Sequence, residues 1–314
     1  MATKSKFAAP HFHNETAARQ WFEAARWPQG PVCPHCGSFK HYATKKEGRY
    51  RCGEKECRKD FTVMTKTVME RSHAPLTSWA IGFHMAASSK KGISSHQLHR
   101  ELGCEYNTAW FMWARIREAM ARGGLDVPMG GKGKVVEVDE TYHGDLPEHM
   151  RMEKRHGRPL RSLKKGPSHK RAILSLVERG GSVRSFYVEN APIEKVVKIV
   201  RENVAKESRL HTDESYLYRH VGKEFADHER VVHSRKEYAR GDVTTNTVEG
   251  FFSVFKRGMR GTYQCVSEKH LHRYLAEFDF RYNHRASLGF SDDDRAIAAV
   301  RGGEGKRLTY RQPH

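Results

Sequence analysis

Along the first 122 residues, apolar side chains recur every three to four positions. In "ETAARQWFEAARW" (15–27) this spacing predicts a helix, which "PQGP" (28–31) stops. After an interruption rich in cysteine and lysine, residues 75–121 return to the helical period. "PLTSWAIGFHMAASS" puts Leu76, Trp79, Ala80 and Phe83 on one face. "GISSHQLHRELGCEYNTAWFMWARIREAM" reads as helix, turn at "LGCEYN", helix. Ser94 or Ser95 is placed to cap the first of these, and Gly103 to take a left-handed position before the second. "GGLDVPMGGKGK" (123–134) closes no element and is expected to be a linker.

Beyond the linker the period shortens. "KVVEVDETYHG" is strand-like, and "KRAILSLVERGGSVRSFYVEN" reads as two strands around Gly180 and Gly181. "PIEKVVKIVRENVAKES" is an amphipathic helix opened by Pro192. Two short strands, "RLHTDES" and "HERVVHS", follow with a helix expected between them. "TTNTVEGFFSVFKRGM" then begins another helix, and "KHLHRYLAEFDFRYNHR" (269–285) closes the core with Leu271, Tyr274, Leu275, Phe278 and Tyr282 at helical spacing. Three strands, helix, strand, helix, strand, helix is the element order of an RNase H-like domain. The expected class is therefore a mixed α/β, RNase H-like catalytic core behind smaller N-terminal modules.

Charge narrows the possible partners. Lys and Arg exceed Asp and Glu by 56 to 37, a formal net charge of +19 over 314 residues. Such an excess points to a polyanion, and to double-stranded DNA before a membrane, because no run of about 18 apolar residues is present. "MATKSKFAAPHFHNET" has no apolar stretch of the kind that directs secretion, so a cytoplasmic, nucleoid-associated, reducing setting is expected. The six cysteines then read as ligands or core residues before disulfides.

Four of the cysteines form two pairs, Cys33 with Cys36 and Cys52 with Cys57, separated by fifteen residues. Two short pairs at this distance close a four-thiolate zinc site with no open position, which is a structural role. The alternating "KHYATKKEGRYRC" between them predicts a hairpin, making residues 31–64 a zinc ribbon behind an N-terminal helix (1–30). Lys45, Lys46 and Arg49 make that ribbon basic and are expected DNA contacts. Cys104 and Cys265 lack partners and read as buried.

Residues 65–122 suit a helix-turn-helix-like DNA-binding region, with Tyr106, Asn107, Thr108 and Arg115 on the helix that would enter a groove. An ordinary helical hairpin built on Trp110 and Trp113 is the competing reading, and the basic charge and neighbouring ribbon favour the first. The core is expected over 134–288. A basic insertion, 144–170, carries Lys164 and Lys165 as DNA contacts. Residues 289–314 are left as a tail.

Carboxylates fall where such a core would gather them. Asp139 lies in the first strand, Asp213 after the fourth, and Glu249 in the first turns of the later helix. Two aspartates and a glutamate holding a pair of Mg²⁺ (or Mn²⁺) ions roughly 3.5–4 Å apart would suit phosphodiester chemistry. His211 and His233 are candidates to orient these acids, with an ordinary core or surface histidine as the competing reading of each.

The motifs "CPHCGS", "YRCGEKECRKDFTV", "VVEVDETYHG", "HTDESYLY" and "TTNTVEGFFSVFKRGMRGTYQCVSEKHLHRYLAEFDFRYNHR" resemble the DDE-type transposases of bacterial insertion sequences. The resemblance is to the ISXO-like branch related to Merlin elements, and it covers about residues 15–288. It implies a Mg²⁺-dependent transposase that acts as a homo-oligomer on terminal inverted repeats and target DNA, by hydrolysis and transesterification. The same resemblance implies Asp139, Asp213 and Glu249 as the acidic set, with Lys256 seven residues on. Its third acidic position is either Glu or Asn, and this chain offers Asn246 as well as Glu249. A carboxylate is the better ligand for a hard cation, so Glu249 is expected to bind and Asn246 to orient it or meet DNA. Seven residues are about two helical turns, so Glu249 shares a face with Lys256, and Arg257 follows as a backbone contact. A nuclease that only hydrolyses, and a domesticated DNA-binding regulator, are the alternatives.

Overall fold

The computed structural model describes residues 5–122, 127–144, 170–188 and 192–308, together with the backbone of 154–155 and 158–159. The chain divides into two compact units: Met1–Gly123 with Arg285–His314, and Gly124–His284.

In the first unit, α1 (Glu15–Arg26) starts where Asn14 accepts the Ala17 amide at 2.9 Å, and it buries Ala18, Phe22 and Ala25. A small antiparallel sheet follows, with β1 (His41–Ala43), β2 (Tyr50–Cys52) and β3 (Asp60–Phe61) in sequence order. It has little core beyond Phe61, which meets Trp27 edge-on. Next, α2 (Leu76–Ser88) is nearly covered, with Trp79, Ala80, Phe83, Ala86 and Ala87 all inside. Ser94 caps α3 (Ser95–Leu102), and Gly103 takes the left-handed turn at φ 60° before α4 (Tyr106–Met120). Trp113 is fully buried and Trp110 is 40% exposed, so one tryptophan of the pair builds the core and the other does not.

The second unit is built on a five-stranded mixed sheet. Its long strand is β4 (Val135–His143). In the insertion, β5 (Lys154–Arg155) and β6 (Arg158–Pro159) form a short antiparallel pair. The rest of the expected insertion, including Lys164 and Lys165, lies outside the described residues. After it come β7 (Arg171–Glu178) and β8 (Val183–Val188), then α5 (Ile193–Asn203), β9 (Arg209–Thr212) and β10 (Asp227–Arg230). The strand order is β10-β9-β4-β7-β8. The first three strands in sequence pair antiparallel, and β9 and β10 run parallel to β4.

Alternation along the strands loads both faces. Val136, Val138, Leu174, Leu176 and Leu210 pack with α5 residues Val196 and Val200. On the other face Ile173, Val177 and Val183 meet Phe251, Phe255, Leu271 and Phe278. Those aromatics come from α6 (Asn246–Gly258) and α7 (Glu268–Asn283), which follow a two-stranded ribbon of β11 (Ala239–Arg240) and β12 (Val243–Thr244).

Three expectations are corrected. No α-helix joins β9 to β10; two 3₁₀ turns, Tyr216–Tyr218 and Val221–Glu224, do so instead. Asp213 accepts the Ser215 amide and starts a turn, and a Cβ at Gly222 would collide with the His228 ring. The expected tail is α8 (Asp292–Gly302), opened by a Ser291–Asp294 capping box and packed against α2 within the first unit. Arg301 donates to the Ala25 carbonyl at 2.6 Å, and Arg26 pairs with Glu304 at 2.9 Å. Cys265 is exposed and Cys104 only partly buried, so neither is a core residue.

Candidate active site

Parallel pairing of β4 with β9 runs from Val135 opposite Arg209 to Val138 opposite Thr212. The next residue on each chain segment is an aspartate, so Asp139, midway along β4, and Asp213, just past the last residue of β9, stand side by side at the C-terminal end of the parallel pairing. That is where open α/β sheets expose a crevice. Asp139 and Glu140 leave β4 on opposite faces, yet carboxylate oxygens of Asp139, Glu140 and Asp213 all lie within 4.8 Å of one another.

The cleft above them encloses about 560 Å³. Glu249 and His233 line it, with Lys256, Arg257 and Arg260 forming a basic wall along α6 and the turn after it. Glu249 is held by the Thr245 hydroxyl at 3.0 Å and stands 3.7 Å from His233 Nε2. Asn246, exposed at the first position of α6, does not line the cleft; its amide goes to the Thr244 hydroxyl at 3.0 Å. His211 is buried on β9 beside Arg179, away from the cleft lining.

Crowding marks the electrostatics. Burial, then the charges of Asp213 and Glu140, push Asp139 up to about 8. Burial likewise raises Glu140, opposed by the Tyr218 hydroxyl that donates to it, and raises Asp213, opposed by the Ser215 amide and His233. Lys256 is lowered by burial, with Asp139 pulling the other way. Several half-buried carboxylates in mutual repulsion are a poor arrangement alone and a good one around cations, which supply the missing charge. The donor set, oxygen only and reaching one open cleft, fits hard divalent ions.

Two acids escape a reading by sequence. Glu140 sits beside the expected ligand on what alternation makes the other face, and only its link to Tyr218 and Ser215 turns it to the cleft. Glu137 is fully buried. It accepts from Arg179 at 2.8 Å and, through Oε2, from the Thr247 and Val248 amides at 2.8 and 3.1 Å. It therefore caps α6 from β4, fixing the helix of Glu249 and Lys256 to the strand of Asp139. An acid at alternate spacing inside an apolar strand was the available signal.

In the small sheet, Cys33, Cys36, Cys52 and Cys57 bring four sulfurs within 4.8 Å of one another. The closest approaches, 3.5 and 3.8 Å, are far from a disulfide. They match the edge of a tetrahedron with zinc–sulfur bonds of about 2.3 Å. The sulfurs of Cys36, Cys52 and Cys57 face the amides of Ser38, Glu54 and Lys59, each two residues on, which favours thiolates; burial and the crowding of the sulfurs work against this, pushing Cys36 up and Cys52 up to about 12 while Cys57 stays lowered, a repulsion that a bound cation would relieve. This set fits one structural zinc.

The expected DNA contacts are unevenly disposed. Lys45, Lys46 and Asn107 are exposed; Arg49 is exposed and paired with Asp60 at 2.9 Å. Arg115 is corrected as a groove contact: it is 7% exposed, donates to the Glu70 carbonyl at 3.1 Å and lies over the Phe111 ring. Nine residues are two and a half helical turns, so Arg115 points away from Tyr106 and cannot share its groove-facing surface.

Residues 130–283 match the ISXO2-like transposase domain, and residues 13–60 match the transposase zinc-ribbon domain. The chain belongs to this family of DDE transposases of insertion sequences. It is also similar to the "Uncharacterized protein in transposable element ISH50" of Halobacterium salinarum, at 28% identity over 283 residues, covering 86% of this chain and 91% of that one.

Proposed function

We propose that this chain is a transposase that cuts DNA at the terminal inverted repeats of its element and joins the freed 3′-OH to target DNA. The convergence of Asp139, Glu140, Asp213 and Glu249 in one cleft, faced by Lys256, Arg257 and Arg260, carries this reading. The strand order, with three antiparallel strands followed by two parallel ones, supports an RNase H-like core. Divalent cations, Mg²⁺ or Mn²⁺, would supply the Lewis acidity that activates an attacking oxygen and stabilises the leaving one.

The chain's own residues divide the remaining work. Asp139, Asp213 and Glu249 hold the cations, and Glu140 completes the set from the far side of β4. Asn246, outside the cleft, is left to meet the DNA backbone. Lys256, Arg257 and Arg260 neutralise and orient the scissile strand, and Glu137 keeps their helix in register with β4. The ribbon, with its zinc, and the α3–α4 pair supply end recognition through Lys45, Lys46, Arg49 and Asn107. A net charge of +19 gives the salt-sensitive backbone affinity. Joining two ends needs two active centres, so the reading includes a homo-oligomer on DNA. It places the protein in the cytoplasm at the nucleoid; among the described residues no helix is long and apolar enough to cross a membrane.

The test uses the full chain with duplexes carrying the inverted repeats that flank its gene. In Mg²⁺ it should release ends and join them to a plasmid, and Asp213→Asn should bind the ends without cutting. Hydrolysis without joining would mean a nuclease. Binding without any metal-dependent cleavage would mean a regulator.

A further inference from the structure

A second cavity, of about 630 Å³, opens in the first unit between the segment entering α2 and the first half of α4. Its size suits a small-molecule or nucleotide-sized group. Arg71, Trp79, Asn107, Thr108, Trp110 and Arg115 contribute to its lining. Three features are unusual together. Arg115 is buried and one arm of its guanidinium donates to the Glu70 carbonyl, while its Nε has no acceptor; among the described residues no carboxylate forms an ion pair with it, the Glu70 charge acting from farther off. A buried N–H without an acceptor is costly, and a phosphate oxygen is an acceptor that suits it. Arg71, at the mouth, holds a left-handed backbone at φ 59°, a strained choice for a residue other than glycine. Trp110, a large aromatic 40% exposed, stands at the same opening.

We infer that this pocket takes one unstacked nucleotide of bound DNA, its base against Trp110 and its phosphate toward Arg115 and Arg71. The inference rests on the transposase reading, which supplies the DNA. It adds that unpaired or distorted DNA is preferred over a regular duplex. Base stacking on an aromatic side chain is sequence-tolerant, so the preference follows structure rather than sequence.

The experiment compares, with the full chain, a 20-base-pair duplex and the same duplex with a three-nucleotide fork carrying 2-aminopurine. Wild type should bind the fork at least about fivefold tighter and quench the 2-aminopurine. Trp110→Ala, at a partly exposed position, should equalise the two affinities while leaving paired-duplex binding unchanged. Arg115→Lys should keep part of the preference, and a 5-iodouracil in the fork should cross-link within residues 106–115. Equal binding of both probes by wild type, a preference that survives Trp110→Ala, or a cross-link mapping elsewhere would overturn the pocket and leave the transposase reading standing. Failure of wild type to bind either probe would sink both.

Discussion

The two clusters of candidate ligands in this chain are built in opposite ways. The four cysteines come from two short turns at one small sheet, with Cys33 and Cys52 fully buried, and four sulfurs fill the coordination of a tetrahedral ion. The acids come from β4, the end of β9 and α6, and they face an open cleft beside three basic side chains. A closed sulfur set can only hold structure together, whereas an open oxygen set beside a cationic wall can act on a phosphodiester. Openness and donor type, more than the count of ligands, separate the cysteine cluster from the carboxylate cleft.

The largest effect expected from this contrast is on cleavage. Asp139→Ala and Asp213→Ala should each reduce end cutting in Mg²⁺ to background while end binding persists or improves through lost repulsion. Gel assays of binding and cutting on the same preparation check this, and near wild-type cutting by either variant would erase the distinction. Next, Cys33→Ser with Cys52→Ser should abolish the one zinc per chain and unfold the ribbon, because that segment has too little core to fold unaided. Metal analysis and limited proteolysis report it; the sheet of the Gly124–His284 unit should stay protected.

How much of this could be read from the sequence depends on the range of the interactions involved. The ribbon was legible because its chemistry is local, with cysteine spacing and a hairpin pattern specifying it together. Asp139 and Asp213 are legible because one is an acid inside an apolar strand and the other follows a strand directly, positions that a parallel pairing brings together. Glu140 was not, because alternation assigns it to the other face, and only Tyr218, 78 residues on, turns it back. Arg115 is not legible as a buried residue from its charge alone, because its helical phase, half a turn from Tyr106, decides which way it points. The segment after 289 reads as a tail although "SDDDRAIAAV" carries a capping box, because the α2 surface it packs against lies some two hundred residues earlier in the chain.

The third acidic position sharpens the comparison further. Glu249→Gln and Glu140→Gln should each lower the cleavage rate by about 10²-fold or more, with Mn²⁺ restoring part, whereas Asn246→Ala should stay within a fewfold. The reverse order would hand the third position to the asparagine. A smaller effect follows from Asp139 resting at about 8 in the folded protein, against 3.8 when unperturbed. Between these values the folded, metal-free chain holds a proton that the unfolded chain has lost, so stability falls as pH rises through that window. Asp139→Asn removes the dependence. It should raise the melting temperature of the metal-free protein at pH 8 by about 5 °C and change it little near pH 4.

Whether the carboxylate cleft is the divalent-cation centre is decided by titrating Mn²⁺ into the zinc-loaded full chain and following free Mn²⁺ by electron paramagnetic resonance. Wild type should take up Mn²⁺ in the millimolar range or tighter, more strongly as pH rises toward 8. The double variant Asp139→Asn with Asp213→Asn should lose that uptake while keeping its zinc. Equal Mn²⁺ uptake by the two proteins would contradict the account.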